Sequence, residues 1–348
     1  MWLRTMMACC AMAVVGNSLY GAQAKPKAEA YDSDLFNKDK PVWFANAEFL
    51  YWLVNEGALD YAVSMNQSTQ LSNTCAIGNY KNARFDWSPG LRVSIGYFRA
   101  PNYWDAFLQY AYLPGTGTNT SHAPKDANRY LNGTWIEPEI STVSPAPLHK
   151  ARSHINLQYH LVDFMFSRRF QPNEHLRVNV FGGPTAAFLY QKWNVFYQDT
   201  VGFQSQIRNR WQFEGAGLRL GVKFDWYLGC DLYLTGLASN GLLSGWYKNS
   251  AFQNTTESAN STKPVFRDAH FHDVRLTYTA QFYVGPSWQK RFTNVRTELF
   301  AGYEFTTWTN LHQIYRSSFN APTAAKETYI NDSNMSLQGL TVRLTVDF

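Results

Sequence analysis

The stretch Leu337–Phe348 reads LQGLTVRLTVDF and decides the fold class. Every second residue from Leu340 to Phe348 is apolar, and the residues between them are small or polar. Successive side chains of a strand point to opposite faces, so the stretch predicts a strand with one apolar and one polar face. A soluble sheet would produce this alternation. A strand that closes a barrel with its apolar face in lipid would also account for the aromatic last residue.

The composition keeps soluble and membrane-spanning β-proteins open and argues against other classes. Of the 348 residues, 45% are hydrophobic and 16% aromatic, which favours strands. The mean hydropathy is nevertheless −0.35, so the apolar residues are dispersed. After the N-terminal segment, no run approaches the ~20 apolar residues of a membrane helix. The net charge of +5 is modest and no Lys/Arg cluster stands out, so we expect no nucleic-acid partner.

The N-terminus predicts export. Arg4 precedes a small-to-apolar run over Met6–Val15, and Ala22-Gln23-Ala24 is typical of a signal-peptidase site. We therefore predict a signal peptide over residues 1–24. The charged segment 25–41 has no periodicity and is expected to be a periplasmic leader. The remaining residues, 42–348, form the predicted barrel.

The same alternation recurs from Val42 onward and predicts about ten strands. Read backward from Phe348, the connections alternate between short and long. Short periplasmic turns and long outer loops are typical of outer-membrane barrels, which have an even number of strands, whereas a soluble sandwich has no reason to sort its loops. The predicted short turns lie at 289–293, 227–230, 171–175 and 99–103, and the long loops at 311–334, 248–268, 198–210, 114–152 and 65–81.

We therefore predict an all-β fold, a transmembrane antiparallel β-barrel of about ten strands, with two points left open. Twelve strands are the alternative if the 114–152 loop contains a hairpin. Asp163 falls in the apolar row that runs from Ile155 to Leu161. Either a bulge shifts the phase of that strand, or a carboxylate faces lipid.

Four stretches carry a resemblance to a known family. They are Glu48–Trp52 (EFLYW), Phe85–Arg92 (FDWSPGLR), Phe213–Arg219 (FEGAGLR) and Leu337–Leu340 (LQGL). In this order, they resemble the Legionella-type major outer membrane protein family, over nearly the whole chain from Trp43 to Phe348. The resemblance implies a porin-like, pore-forming barrel in the bacterial outer membrane, without catalytic residues. Phe348 is similar to the terminal signal read by the barrel-assembly machinery, which would be a partner.

The polar rows of the predicted strands carry the charges expected in the lumen. In a porin such charges select solutes, but in a ten-strand barrel opposite charges could instead pair and fill the lumen. Basic residues are slightly more numerous, which predicts a mild anion preference. The predicted lumen-lining residues are Glu48, Arg84, Asp86, Arg92, Arg177, Arg219, Lys223, Asp225, Arg275, Arg296, Glu298, Glu304 and Arg343.

The function predicted from these observations is passive diffusion of small hydrophilic solutes, together with a structural role as a major surface protein. The alternative is a non-conducting structural or adhesin barrel with a plugged lumen. We expect outer-membrane lipids as partners, because Trp and Tyr cluster near strand ends as in interfacial girdles.

Other chemistry is less favoured by the sequence. His270 and His272, beside Asp268 and Asp273, raise an outer-membrane hydrolase as a rival function, but nothing in the sequence aligns a His–carboxylate pair. An i, i+2 histidine pair is too few ligands for a metal site, and the glycines near Gly215 have the wrong spacing for a nucleotide loop. We therefore predict no enzyme, no metal and no cofactor.

The mature chain keeps two cysteines, Cys75 and Cys230. The predicted topology places them on opposite rims, across an apolar band ~25 Å tall. Bridged Cα atoms lie ~4.4–6.8 Å apart, so an intramolecular disulfide is excluded. Homo-oligomers or intermolecular cross-links through either cysteine remain open.

Overall fold

The structure is a computed structural model that describes residues 41–65, 78–99, 104–126, 129–135, 148–173, 175–200, 204–256, 265–292, 295–317 and 328–348. The predicted signal peptide, nearly all of the predicted leader and Cys75 lie outside the described residues. No helix within the described ranges is long and apolar enough to cross a membrane.

The described residues form thirteen strands. Ten of them close into one antiparallel ring in the order β1-β13-β12-β11-β10-β9-β8-β7-β5-β4, and β3-β2-β6 form a separate small sheet. The strands are β1 (Val42–Glu56), β2 (Asp60–Met65), β3 (Gly78–Asn82), β4 (Ser88–Arg99), β5 (Trp104–His122), β6 (Tyr130–Gly133), β7 (Leu148–Asn173), β8 (Leu176–Asp199), β9 (Gln204–Gly229), β10 (Leu232–Thr256), β11 (Val265–Phe292), β12 (Val295–Ser317) and β13 (Thr328–Asp347).

The ten-strand prediction is confirmed, and the twelve-strand alternative is wrong. The only strand described between β5 and β7 is β6, which pairs with β2 rather than joining the ring. The C-terminal strand closes the barrel between its predicted neighbours, β12 and β1. The backbone N–H and C=O of Phe348 bond the backbone of Trp43 at 2.8 and 2.9 Å. The role of Phe348 as an assembly signal stays a prediction.

The strands are much longer than a membrane requires. A crossing strand needs ~9–11 residues, whereas β7 has 26 and β11 has 28. The predicted long loop at 198–210 is therefore wrong, because β8 continues to Asp199 and β9 begins at Gln204. Its residues belong to strands that extend past the lipid-facing part of the barrel, with Arg208 and Arg210 in the outward row and Ser205 and Asn209 buried inside.

The polarity of the wall reverses along the long strands, as β9 illustrates. In the half nearer the short turns, Leu218 and Leu220 are exposed on the outside while Arg219 is buried inside. In the half nearer the long loops, Arg210 is exposed outside while Trp211 is buried inside. We call these the short-turn half and the long-loop half. The first has the apolar-out, polar-in pattern of a membrane barrel, and the second has the apolar interior of a water-exposed protein.

This reversal corrects the reading of β7. The apolar residues Ile155, Leu157, Tyr159 and Leu161 are buried inside the barrel instead of facing lipid. Asp163 belongs to the same inward row, so the predicted choice between a bulge and a lipid-facing carboxylate does not arise.

The turn between β9 and β10 is a two-residue hairpin. Cys230 and Asp231 have φ of 52° and 63°, both in the left-handed region used by type I′ turns. Cys230 is exposed and free. Its use in an intermolecular cross-link stays a prediction.

Candidate functional site in the barrel lumen

The short-turn half encloses a cavity of about 130 Å³. One water needs ~10–15 Å³ of such space, so the cavity has room for several waters. Its walls carry most of a charged network that we define by seven basic and seven acidic side chains of the described residues. These are Arg92, Arg169, Arg177, Arg219, Lys223, Arg296 and Arg343, with Glu48, Asp105, Asp163, Asp225, Glu298, Glu304 and Asp347.

Arg92 on β4 is the centre of the part of this network that lies nearest the long-loop half. Its guanidinium binds Glu304 through both Nη atoms, at 2.7 and 3.1 Å, and Glu48 at 2.6 Å. Gln281 also donates to Glu304, as does Thr341 at 2.8 Å. Because Glu304 is fully buried, these four hydrogen bonds replace its lost hydration.

Arg343, in the polar row of the C-terminal strand, connects β13 to β12 and β11 inside the lumen. It donates to Glu298 at 2.7 Å and to the hydroxyl of Tyr283 at 2.8 Å. Lys223 approaches Glu298 at 3.7 Å and is the network's half-buried ammonium group. Strands β9, β11, β12 and β13 are thus connected inside the lumen through side chains.

Two further groups lie nearer the short turns. Arg177 binds Asp225 at 2.8 Å and shares the side-chain oxygen of Gln289 with Arg296. Arg296 also binds Asp347 at 2.8 Å. Asp347 sits next to the C-terminal residue, so the end of β13 is anchored by charge as well as by its backbone.

The remaining pairs lie on the β5–β7–β8–β9 side of the lumen. Asp163 accepts from Arg219 at 2.9 Å and from Thr185 at 2.6 Å. Asp105 accepts from Arg169 at 3.1 Å. Carboxylates that face lipid would be costly, whereas here each has a guanidinium partner.

Eleven of the thirteen predicted lumen residues point into the barrel. Arg84 and Asp86 do not, because both lie in the segment between β3 and β4 and are exposed. The inward phase of this region changes between Phe85 and Ser88, both of which are buried. The prediction assumed that the alternation of β4 continues through this non-strand segment, and it therefore assigned Arg84 and Asp86 to the wrong face.

Arg275 points into the barrel but does not belong to the network, because it lies in the long-loop half. It pairs with Asp273 at 2.9 Å and stacks 3.4 Å from the ring centroid of Tyr247. The predicted anion preference rested on an excess of basic residues in the lumen, and it stays a prediction. Asp105, Asp163 and Asp347, which the prediction left out, bring the network to neutrality together with the omitted Arg169.

Above the network, the lumen is filled mainly by apolar side chains, which we call the apolar plug. It consists of one hydrophobic cluster of buried residues from the wall and from the small sheet. Its largest members include Trp52, Tyr61, Leu113, Leu131, Trp135, Tyr159, Leu189, Trp193, Tyr197, Trp211, Phe213, Trp308 and Leu337.

The small sheet and the segment after β6 contribute directly to the plug. Trp135 packs edge-on against Trp193 of β8, with ring centroids 5.5 Å apart. The hydroxyl of Tyr197 donates to the backbone oxygen of Tyr61 in β2. In the described part of the long-loop half, the lumen is therefore filled by wall side chains and by chain from two of the long connections.

The rim histidines do not form a catalytic or metal-binding arrangement in the described residues. His270 meets Asp268 at 3.2 Å, and both side chains are largely exposed on the outward face of β11. His272 is exposed on the same face. No group of three or more potential ligands forms within the part of the chain that the structure describes.

Comparison with known proteins identifies a family. A family model described as the Legionella pneumophila major outer membrane protein precursor matches residues 37–348. No curated protein sequence matches the chain. Among solved structures, the outer membrane protease OmpT of Escherichia coli is similar, with 8% identity, 88% of this chain and 96% of that chain covered, and a TM-score of 0.39.

Two further solved structures are similar over comparable lengths. A FadL homologue of Pseudomonas aeruginosa has 7% identity, with 89% of this chain and 90% of that chain covered and a TM-score of 0.24. The toluene transporter TodX of Pseudomonas putida has 8% identity, with 90% and 91% covered and a TM-score of 0.25.

Proposed function

Because this chain belongs to the family of the Legionella pneumophila major outer membrane protein and is a protein of the bacterial outer membrane, we propose that it is a non-enzymatic channel for small hydrophilic solutes that is closed in the state described here. The observation that carries the proposal is the polar cavity of the short-turn half. It offers solutes a neutral, charge-lined vestibule on the side that faces the periplasm in outer-membrane barrels.

The closed state follows from the apolar plug. Its members are almost completely buried and lie between the cavity and the long-loop rim in the described part of the lumen. Apolar constrictions close pores to ions because water withdraws from them. Solute passage therefore requires the plug to open, and the contacts made by the small sheet and by Trp135 are the part of the plug that does not belong to the barrel wall.

The neutral network predicts weak charge selectivity once the channel is open. Each guanidinium faces a carboxylate, so the field of the lumen is formed by local dipoles instead of a net charge. We expect reversal potentials close to those of free diffusion.

The second candidate is a permanently closed structural barrel that presents its long connections at the cell surface. The close packing of the plug favours it, because a closely packed core of this kind is rigid. The two candidates differ in one measurable property, which is whether the lumen ever conducts.

Planar-bilayer recordings of the purified protein test the proposal. Wild type should be closed most of the time and open briefly to small, voltage-dependent conductances. The variant Leu131→Ala/Trp135→Ala removes plug side chains from the small sheet and the segment after it, and should raise the open fraction. Tyr80→Ala is the matched control, because Tyr80 is an exposed aromatic residue on the same small sheet.

The outcomes separate the candidates. An increased open fraction in the double variant, with Tyr80→Ala unchanged, supports the gated channel. Silence of both wild type and the double variant, with the folded state verified by the gel shift on heating, would favour the structural barrel.

A further inference from the structure

The outer surface of the long-loop half carries a group of basic side chains that the proposed channel does not use. We call it the basic patch and define it by Arg152 on β7, Lys192 on β8, Arg208 and Arg210 on β9, and Lys248 on β10. All five side chains are exposed and belong to the outward rows of four consecutive strands. The residues are spread over nearly a hundred positions of the sequence, and the ring order brings them together.

The register places like charges side by side in this patch. Lys192 lies directly opposite Arg210, and Asn194 of the same row lies opposite Arg208. Directly opposed strand residues have Cβ atoms ~4.5–5.5 Å apart, and like charges at that distance destabilise a sheet. None of the five side chains has an ion pair within the described part of the chain.

Two outward carboxylates lie near the patch, and neither forms an ion pair with it among the described residues. Asp268 of β11 lies 3.2 Å from His270 instead. Glu214 accepts from the hydroxyl of Tyr190 at 2.8 Å and from Gln212 at 2.6 Å. The patch therefore differs from the lumen network, where every basic group has an acidic partner. An unbalanced cluster of this kind is stabilised by an external anion.

The position of the patch along the strands indicates which kind of anion it binds. Phe188 precedes Lys192 by four residues in the outward row of β8, and Trp246 precedes Lys248 by two in that of β10. Phe188 and Trp246 are exposed on the outside, 38% and 67%, in the lipid-facing wall. The basic side chains thus begin where the apolar surface ends, at the height of lipid headgroups.

Among the residues that the structure describes, the patch has no basic counterpart on β12, β13 and β1, which lie on the other side of the ring. In the corresponding outward positions of β12, β13 and β1, the side chains that the structure describes are neutral. They are Thr307, Thr309, Ser336, Gln338 and Asn55. Basic residues that served only to attract the whole barrel to an anionic membrane would not need to be gathered on a few strands.

From this charge, exposure and position, we propose that the basic patch binds the phosphate groups of a phosphorylated glycolipid headgroup in the outer leaflet. Lys192 and Arg210 supply the central contacts, because they form the unpaired facing pair. Arg208 extends the site away from the membrane, with its guanidinium 5.6 Å from the ring centroid of Phe252. Arginine and lysine are the side chains suited to phosphate recognition.

The test compares the full-length barrel in detergent with the variant Lys192→Gln/Arg208→Gln/Arg210→Gln. The probe is diphosphorylated lipid A, and affinity is measured by fluorescence titration. Each Lys or Arg near an anionic lipid surface contributes about fivefold in affinity, so the triple variant should bind about a hundredfold more weakly. The matched control, Arg168→Gln/Lys290→Gln/Arg291→Gln, removes three exposed charges near the short turns and should bind as wild type does.

Two further probes identify the source of the phosphate. Dephosphorylated lipid A should bind no better to wild type than to the triple variant, and inorganic phosphate should not compete with diphosphorylated lipid A. Equal binding of diphosphorylated lipid A to wild type and the triple variant would overturn the proposal. So would competition by inorganic phosphate, which would make the patch a site for free anions. The gel shift on heating verifies that each variant is folded.

Discussion

The two halves of the barrel are built from the same strands yet have opposite interiors. In the short-turn half, the lumen holds the charged network and the outside is apolar. In the long-loop half, the lumen holds the apolar plug and the outside carries polar and basic side chains. The difference follows from the surroundings. Lipid solvates apolar side chains, so polar ones turn inward, whereas water above the membrane reverses the preference.

The comparison also separates two ways of stabilising a lumen. Buried ion pairs gain little net free energy, because desolvation offsets attraction, but they are costly to break. The apolar plug gains free energy directly from the removal of apolar surface from water. The predictions below test this contrast by unfolding in urea from lipid vesicles, followed by tryptophan fluorescence, and begin with the largest effect.

Glu304→Leu should destabilise the barrel most, by about 3–5 kcal/mol, because it leaves Arg92 with one carboxylate partner in a buried site. The double variant Glu304→Leu/Arg92→Leu is the control. If the two residues act as a pair, the double variant loses less stability than the sum of the single variants. Strictly additive losses would show that the network is not coupled.

A charge on the outside should cost more in one half than in the other. Leu344→Arg places it on the lipid face of β13, where Leu344 is 46% exposed, and should cost ~2–4 kcal/mol if it lies near the midplane. Ser336→Arg places the same side chain in the same outward row but in the long-loop half, and should change stability by less than ~0.5 kcal/mol. Equal losses would contradict the division of the barrel into two halves.

Removal of one methyl group from the plug should have a smaller effect. Ile155→Val should cost ~0.5–1.5 kcal/mol, the usual range for a fully buried site. Val180→Ala, on the exposed outer wall of β8, is the comparison within the short-turn half and should leave the plug unchanged. A loss below ~0.5 kcal/mol for Ile155→Val would mean that the plug is loosely packed.

The smallest effect belongs to the two predicted lumen residues that lie outside. Arg84→Ala/Asp86→Ala should change stability by no more than ~0.5 kcal/mol, because both side chains are exposed. It should also leave the reversal potential of any open channel unchanged. A changed reversal potential would show that Arg84 and Asp86 do line the conduction path.

Much of the fold could be predicted from local pattern, and the errors have a common cause. Period-2 alternation identified β13 and its polar row, including Arg343, because strand sidedness is a local property. The same pattern misassigned the row from Ile155 to Leu161, because apolar residues were expected to face lipid along the whole strand. The 198–210 region was assigned to a loop because it is polar on both faces, and a strand with one lipid-facing row would not be.

The candidate site was predicted in part. The charges in strand centres, such as Arg92 and Glu304, were found by their alternation with apolar neighbours. Asp105 was missed because it follows the start of its strand by one residue. Arg84 and Asp86 were misplaced because a non-strand segment resets the phase before β4.

The amino-acid sequence by itself determined that the chain forms about ten strands with alternating faces, because sidedness depends on neighbours one or two residues apart. Only the tertiary structure decided which row faces inward at each height, which charges meet and which basic residues gather on the outer surface. Those features depend on strand register and on whether lipid or water surrounds the wall. Residues as distant as Glu48 and Arg343, or Arg152 and Lys248, share one surface only after the ring has closed.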